Sequence, residues 1–386
     1  MINCPYWQTK RTRVCGIMTG TSLDGVDVAV CDFWIINNIK HYELIAFKTF
    51  DISNQIKSKI LDVCSQNILI SDVSDLNFAL SFLYKEAVES LLSEFSILIS
   101  TIDCFGVHGQ TVWHSPIPKK IAKFSVSSTL QLFNGSSFAK LINKPVIYDF
   151  RSADIALGGN GAPLIPIFDF EFFASDEEDV VFLNIGGVSN VTYLPKGKDK
   201  NKVKAWDTGP GNILIDFATN HFYNQPFDKN GEHSLNGNVN YELFDELKSI
   251  SFIKTPPPKS TGRELFSKSY FESLVNKYII EPDDFLSTFS YFTAYSIAEN
   301  IRLFANRTNT IIASGGGIHN QSIMNNLKIE LPNANIKTTE HLGLNPDAKE
   351  AVCFAFLAFQ FLCGFKSNII SVTGASEETI LGVLAL

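Results

Sequence analysis

The chain has 386 residues, 45% of them hydrophobic, and a formal net charge of −8. That much apolar material fills a large core, and the length argues for two domains. The acidic balance excludes nucleic acid as the main partner, and only local positive charge or backbone N–H groups would draw in an anionic substrate.

Seven cysteines (Cys4, Cys15, Cys31, Cys64, Cys104, Cys353, Cys363) form no CxxC pair and no zinc-ligand spacing, so no metal site is expected. They read as small core residues in a reducing compartment. The start, MINCPYWQTKRTR, carries no apolar signal segment. The most apolar stretch, 351–365, is too short to span a bilayer and is interrupted by Gln360. The expectation is a soluble cytoplasmic protein with no membrane partner.

In chain order, strands are expected at 14–18, 26–34 and 41–51, with Asn37–Asn38 as the turn between the last two. Helical spacing follows at 52–65 and 72–95, then a strand at 104–107, a helix near 130–142 and a strand at 145–149. A Gly-, Ala- and Pro-rich crossover runs from 151 to 166. Strands at 180–185, 191–194 and 203–206 come next. A Pro-rich loop at 255–266, a long helix after Pro282, a strand at 310–313, a helix at 346–361 and a strand at 380–384 complete the chain. "GIMTGTSLDGVDVAV" and "FLNIGGVSNVTYL" share one layout, strand, small-residue turn, strand, which suggests duplicated halves of mixed α/β architecture.

Several motifs offer chemistry. "TGTSLDG" combines Gly20, Thr21, Ser22, Asp24 and Gly25; glycine lets backbone approach phosphate oxygens, and Asp24 suits a water on a phosphate-bound metal. The competing reading is a tight hairpin. It is not a Walker loop. "NIGGVSN", with Gly186, Gly187 and Asn190, is a second such turn. "SGGGIHN" puts Gly315, Gly316 and Gly317 after a buried strand, where a flat ring can lie, or where the chain merely turns sharply. "HGQTVWH" clusters His108, Gln110 and Thr111, groups suited to sugar hydroxyls, although His108 could simply brace a loop. In "DFRSADIALGGNGAPL", Arg151 can grip a carboxylate or pair with Asp154 to join two domains. Glu350 sits near a helix start, where an acid also compensates the dipole. In "KAWDTGPGNILIDF", Asp207 precedes Gly209, Gly211 and Asn212 and an apolar helix; it is either that helix's cap or a base.

Together, "GIMTGTSLDGVD", "GVHGQTVWH", "DFRSADIALGGNGAPLIP", "LNIGGVSNV", "DTGPGN", "STGRELF", "SGGGIHN" and "PDAKEAVCFAFLA" resemble the anhydro-N-acetylmuramic acid kinase family of the actin-like ATPase and sugar kinase superfamily. The matches run in order along nearly the whole chain. Thr19 replaces a more usual serine, and Asn160 and Asn345 also depart from the pattern. The resemblance implies an α/β fold of two actin-like (ribonuclease H-like) domains, mixed sheets flanked by helices around a central cleft. The expected domains are 1–150, with 370–386 returning to a sheet, and 151–369. It implies ATP and Mg²⁺, a homodimer, and conversion of 1,6-anhydro-N-acetylmuramic acid to N-acetylmuramic acid 6-phosphate in peptidoglycan recycling. By the same match, Asp207 is the general base and Arg151 and Glu350 bind sugar. The turn at Gly20, Thr21, Ser22, Asp24 and Gly25 is the phosphate loop. Gly186, Gly187, Asn190, Gly209, Gly211, Asn212, Gly315, Gly316 and Gly317 are further nucleotide positions. The alternatives are a kinase for another anhydro sugar such as levoglucosan, and a nucleotide-dependent sugar sensor without turnover.

Overall fold

The computed structural model describes residues 4–66, 68–262 and 264–386. Among these, the strands form two mixed sheets, of seven and five strands, flanked by helices. Contacts gather Met1–Phe172 with Ala348–Leu386 into one compact unit and Phe173–Asp347 into another.

In the first unit, β1 (Thr12–Thr19), β2 (Val26–Ile36) and β3 (Ile39–Phe50) form an antiparallel meander. Asn37 and Asn38 both take left-handed backbone (φ 52° and 64°), the conformation a two-residue hairpin turn needs. β4 (Cys104–Ile121) runs parallel to β1, and β6 (Val146–Tyr148) runs parallel to β4. The chain's last strand, Val383–Ala385, returns antiparallel to β6. Between β4 and β6 lies β5 (Phe124–Leu132), which pairs with β4 alone.

β5 corrects the helix expected at 130–142. Leu130 and Leu132 flank Gln131 with a period of two, and the helix starts only at Gly135. Asn134 fixes that start: its Oδ1 accepts from the Ser137 amide at 2.8 Å. The same hairpin places HGQTVWH inside the long strand β4 rather than after a short one.

The helix Lys349–Cys363 is apolar on all sides and buried on all sides. Its seat is a pair of glycines side by side on β1 and β4, Gly16 opposite Gly106. A Cβ on Gly16 would lie 1.9 Å from the Ala351 carbonyl oxygen, and one on Gly106 would lie 2.2 Å from that of Phe354. Helix backbone therefore rests directly on sheet backbone. Residues 151–172 and 348–369, which the sequence reading places in the second domain, make their contacts in this first unit. Phe168 and Phe172 pack on Tyr42 and Phe356.

The second unit repeats the plan. β7 (Val180–Ile185), β8 (Val188–Leu194) and β9 (Lys204–Pro210) form an antiparallel meander. β10 (Thr310–Ser314) runs parallel to β7, and β11 (Asn335–Thr338) runs parallel to β10. The helix Pro282–Phe304 covers this sheet and buries Phe285, Phe289 and Phe292. No helix among the described residues is long and apolar enough to cross a membrane.

Candidate functional site

Asp207 sits on β9, opposite Asn190 of β8. It does not cap the following helix. Asn212 holds the cap position of Ile213–Tyr223, five residues on, and its side-chain amide donates to the Gly186 carbonyl at 3.2 Å. Instead, the loop at 255–266 lies along β9. The Asp207 amide donates to the Lys259 carbonyl at 3.2 Å, and the Thr261 amide donates to Asp207 Oδ2 at 2.8 Å. Oδ1 accepts no hydrogen bond from the described residues. Burial pushes the carboxyl up to about 6, and Glu264 adds to the rise; the Thr261 N–H and Lys259 oppose it. Lys259 is itself drawn down to about 8 by burial, against the pull of Asp207. Its ammonium donates to the Phe252 and Ile253 carbonyls at 2.8 and 3.0 Å. A carboxylate poised near neutrality, with one oxygen uncommitted, has the properties of a general base. Arg263 of the STGRELF motif lies outside the described residues.

The glycines expected near phosphate divide into two kinds. In DTGPGN, the amides of Gly211 and Asn212 donate to the Gly187 and Gly186 carbonyls, both at 2.8 Å. These N–H groups clip the β7–β8 turn to the helix start and are not available to an anion. In SGGGIHN, Gly315 has φ +83° and would place a Cβ 2.4 Å from Asn184 Oδ1; a Cβ on Gly317 would lie 2.2 Å from Ile185 Cγ2. Packing accounts for both. Gly316 and Gly187 would place a Cβ within 4 Å of nothing. The flat, open surface a ligand needs is thus confined to single glycines in these turns. Asn320 caps the helix Gln321–Glu330 beyond them.

In the first unit, the turn between β1 and β2 is anchored by Leu23, buried in left-handed backbone at φ 61°. Thr21, Ser22 and Asp24 are left exposed. Gln110 of β4 is buried and donates to the Gly20 carbonyl at 3.3 Å and that of Thr111 at 3.2 Å, while its Oε1 has no partner among the described residues. It therefore ties the hydroxyl-bearing turn to the HGQT segment.

His108 is buried, and Arg151 is the residue it serves. Its Nε2 receives both Arg151 Nε (3.1 Å) and an Arg151 terminal nitrogen (2.8 Å). A guanidinium can only donate, so Nε2 carries the lone pair and Nδ1 carries the proton, given to the Gly109 carbonyl at 2.8 Å. Burial and Arg151 both hold the imidazole well below its usual range, so it stays neutral. Of the two roles expected of His108, sugar contact or bracing, the geometry shows it bracing Arg151. Arg151 donates its remaining terminal nitrogen to the Gly161 carbonyl at 3.0 Å. The Arg151–Asp154 pair is not formed. Fully buried Asp154 accepts from the Gly161 amide (2.8 Å), Asn368 Nδ2 (2.9 Å) and Thr373 Oγ1 (2.7 Å). Arg151 and Asp154 thus hold the same glycine from its two sides. Burial lowers Arg151 to about 10, against the pull of Glu350, so the guanidinium keeps its charge at neutral pH.

Glu350 opens the buried helix, and burial raises its carboxyl while Lys349 and Arg151 pull it down. Sequence reasoning missed its neighbour: Lys349 Nζ lies 2.8 Å from Asp169 Oδ1 in a buried ion pair that pins the helix start. PDAKEAV carried that signal in plain view beside Glu350. Lys259 was missed because nothing local marks it. No cluster of three or more His, Cys, Asp or Glu side chains among the described residues could hold a metal ion.

The family model described as anhydro-N-acetylmuramic acid kinase matches residues 12–386. A protein of that name from Clostridioides difficile is 37% identical over 372 residues, 95% of this chain and 96% of its own. Another from Caldanaerobacter subterraneus is 36% identical over 389 residues, 98% of each chain. Among solved structures, an activator of 2-hydroxyisocaproyl-CoA dehydratase from Clostridium difficile, with bound ADPNP, aligns at TM-score 0.45 and 13% identity, covering 91% of this chain and 96% of that one.

Proposed function

The chain belongs to the anhydro-N-acetylmuramic acid kinase family, and from that premise we propose how its residues open and phosphorylate 1,6-anhydro-N-acetylmuramic acid. As a member of a kinase family it uses ATP on an anhydro sugar. The internal bridge of that sugar leaves no free 6-hydroxyl to phosphorylate. Water must attack the anomeric carbon while the bridging oxygen leaves. An ordinary inverting hydrolysis needs a base for the water and an acid for the leaving oxygen. Here the leaving oxygen attacks the γ-phosphorus of ATP as its bond to the anomeric carbon breaks, and the bond from phosphorus to ADP breaks in turn. One proton is released, and Asp207 takes it from the water. The products are N-acetylmuramic acid 6-phosphate and ADP, so a single carboxylate suffices.

The observation that carries this reading is Asp207 itself, raised to about 6 by burial and holding one oxygen with no hydrogen-bond donor among the described residues. Arg151, braced by His108 and Gly161, is the partner for the lactyl carboxylate, and Glu350 binds the sugar. Gly20, Thr21, Ser22 and Gly25 border the phosphates, with Gly187 and Gly316 as the open nucleotide surface. The exposed Asp24 fits a Mg²⁺ ion held chiefly by phosphates and water, as is usual for that ion. Bound there, Mg²⁺ would neutralise charge on the phosphates. A homodimer, implied by the family, and a cytoplasmic location belong to the same proposal. Cys15, Cys31, Cys104, Cys353 and Cys363 are free thiols, as a reducing compartment allows.

The test is ADP release with ATP, Mg²⁺ and either the anhydromuramic sugar or levoglucosan. The expected result is turnover with the muramic sugar; turnover with levoglucosan alone, or with neither, refutes the assignment.

A further inference from the structure

Beyond Gln110 the strand β4 leaves the sheet. Its pairing with β6 ends at Val107 and its pairing with β1 ends at Gln110, so from Thr111 to Ile121 only β5 lies beside it. The result is a two-stranded ribbon that turns at Ala122 and Lys123, a structure of marginal stability when nothing covers it. Register assigns its side chains to faces. Trp113 opposes Leu130, Lys119 opposes Val126, and Ile121 opposes Phe124. The irregularities lie in β4, so Phe124, Val126 and Leu130 share one face of β5 and their partners share it with them. Exposure grows along this stripe toward the tip. Trp113 and Leu130 are 38% and 44% exposed, Ile121 and Phe124 63% and 59%, and Ile117 beside them 77%. An apolar stripe of this length open to water marks a contact surface.

The charge of the ribbon narrows the partner. In a chain of net charge −8, no Asp or Glu occurs from 104 to 148, while Lys119, Lys120 and Lys123 gather at the tip, all exposed. None of the three has an acidic partner among the described residues; Lys119 and Lys123 lie over the rings of Trp113 and Phe124, at 5.3 and 5.4 Å. A second copy meeting this face about a two-fold axis would set these lysines against themselves. An anionic surface with an apolar layer beneath it satisfies both the charge and the stripe. We propose that the tip of the β4–β5 ribbon docks this protein on an anionic phospholipid membrane. The lysines meet headgroup phosphates while their stems lie along apolar surface, and Ile117, Ile121 and Phe124 enter the boundary between headgroups and acyl chains. The expectation of no membrane partner rests on the lack of a spanning segment, and a surface contact needs none. Because the chain as a whole is acidic, the attraction is local, confined to about 10 Å by screening at moderate salt.

The test is flotation of the full chain with vesicles of equal parts phosphatidylglycerol and phosphatidylcholine, and with vesicles of phosphatidylcholine alone. Wild type should float with the first and not with the second, and added salt should release it. Lys119→Gln, Lys120→Gln and Lys123→Gln together should weaken binding about 100-fold, at roughly fivefold per lysine. Ile121→Ser with Phe124→Ser should weaken it at least about tenfold. The same charge removed at Lys198, Lys200 and Lys202, in a turn where Lys198 pairs with Asp176 and Lys202 with Asp199, should change binding less than about threefold. Every variant should keep the Tm of wild type, because the replaced side chains are exposed. Equal binding to both kinds of vesicle, binding to neither, or binding that survives both ribbon variants overturns the proposal. So does a loss of self-association in the ribbon variants with vesicle binding unchanged, which would make this face a contact between copies.

Discussion

The same layer of the two sheets carries different chemistry. In the first unit, Met18, Asp27 and Thr49 stand in register across β1, β2 and β3. In the second, Asn184, Asn190 and Asp207 stand in the matching places on β7, β8 and β9. Each layer holds one carboxylate. Asp27 is partly exposed and accepts the Thr49 hydroxyl at 2.6 Å. Asp207 is covered by the loop at 255–266 and accepts one backbone N–H. The duplicated topology brings an acid to the end of a meander twice. At Asp207 the covering loop, by removing water, raises the carboxyl to about 6, the property that the proposed general base requires.

That contrast can be broken most sharply at the two acids. Asp207→Asn should lower kcat about 1,000-fold, within the range for loss of a general base. Asp27→Asn should stay within about threefold of wild type, since no reacting group is assigned to it. Comparable losses in both would end the distinction. The stability sign runs opposite to activity. The folded carboxyl of Asp207 is raised above its ordinary 3.8, so its ionised form disfavours folding and that burden grows as pH rises through about 6. Asp207→Asn should therefore melt no lower than wild type at pH 8, as measured by calorimetry.

A smaller effect is expected at Arg151. Lysine keeps the charge but cannot reach both His108 and Gly161 with a planar fork. Arg151→Lys should raise KM for the muramic sugar about tenfold to 100-fold with little change in KM for ATP, on the scale of lost charge-assisted hydrogen bonds. An unchanged KM would remove Arg151 from the sugar side.

The glycines separate packing from binding. Gly317→Ala forces a methyl into Ile185 and should lower Tm by several degrees. Gly316→Ala meets nothing within 4 Å and should leave Tm unchanged while weakening nucleotide binding severalfold by calorimetric titration. Equal effects on Tm would mean that packing explains all three glycines.

The smallest expected shift is in pH. kcat/KM should rise through an acid limb near 6 as Asp207 loses its proton. Lys259 holds that carboxyl down, so Lys259→Met should move the limb upward by up to about one pH unit. A shift downward would contradict the electrostatic assignment.

Much of this was legible in the sequence. The two strand–turn–strand layouts, the Asn37–Asn38 hairpin and the acid of DTGPGN follow from apolar periodicity and turn residues. Other features depend on contacts far apart in the chain. β5 was hidden because its leucines, with Phe133 and Phe138, also satisfy helical spacing; the Asn134 cap decides the matter. The return of residues 348–369 to the first unit rests on Gly16 meeting Gly106 across a sheet, a pairing 90 residues apart that no local signal gives. The basicity of Asp207 depends on a loop more than 50 residues downstream folding over it, so the residue could be named from sequence but its tuning could not.

The most direct test of the central claim is turnover of the anhydromuramic sugar in water labelled with heavy oxygen, with the product trapped by reduction before the anomeric oxygen can exchange. If Asp207 activates water against the anomeric carbon while the bridging oxygen takes the phosphoryl group, the label enters the anomeric hydroxyl of N-acetylmuramic acid 6-phosphate. Its phosphate then stays unlabelled. Label in inorganic phosphate without sugar product, or a phosphorylated sugar with an unlabelled anomeric oxygen, would contradict the account.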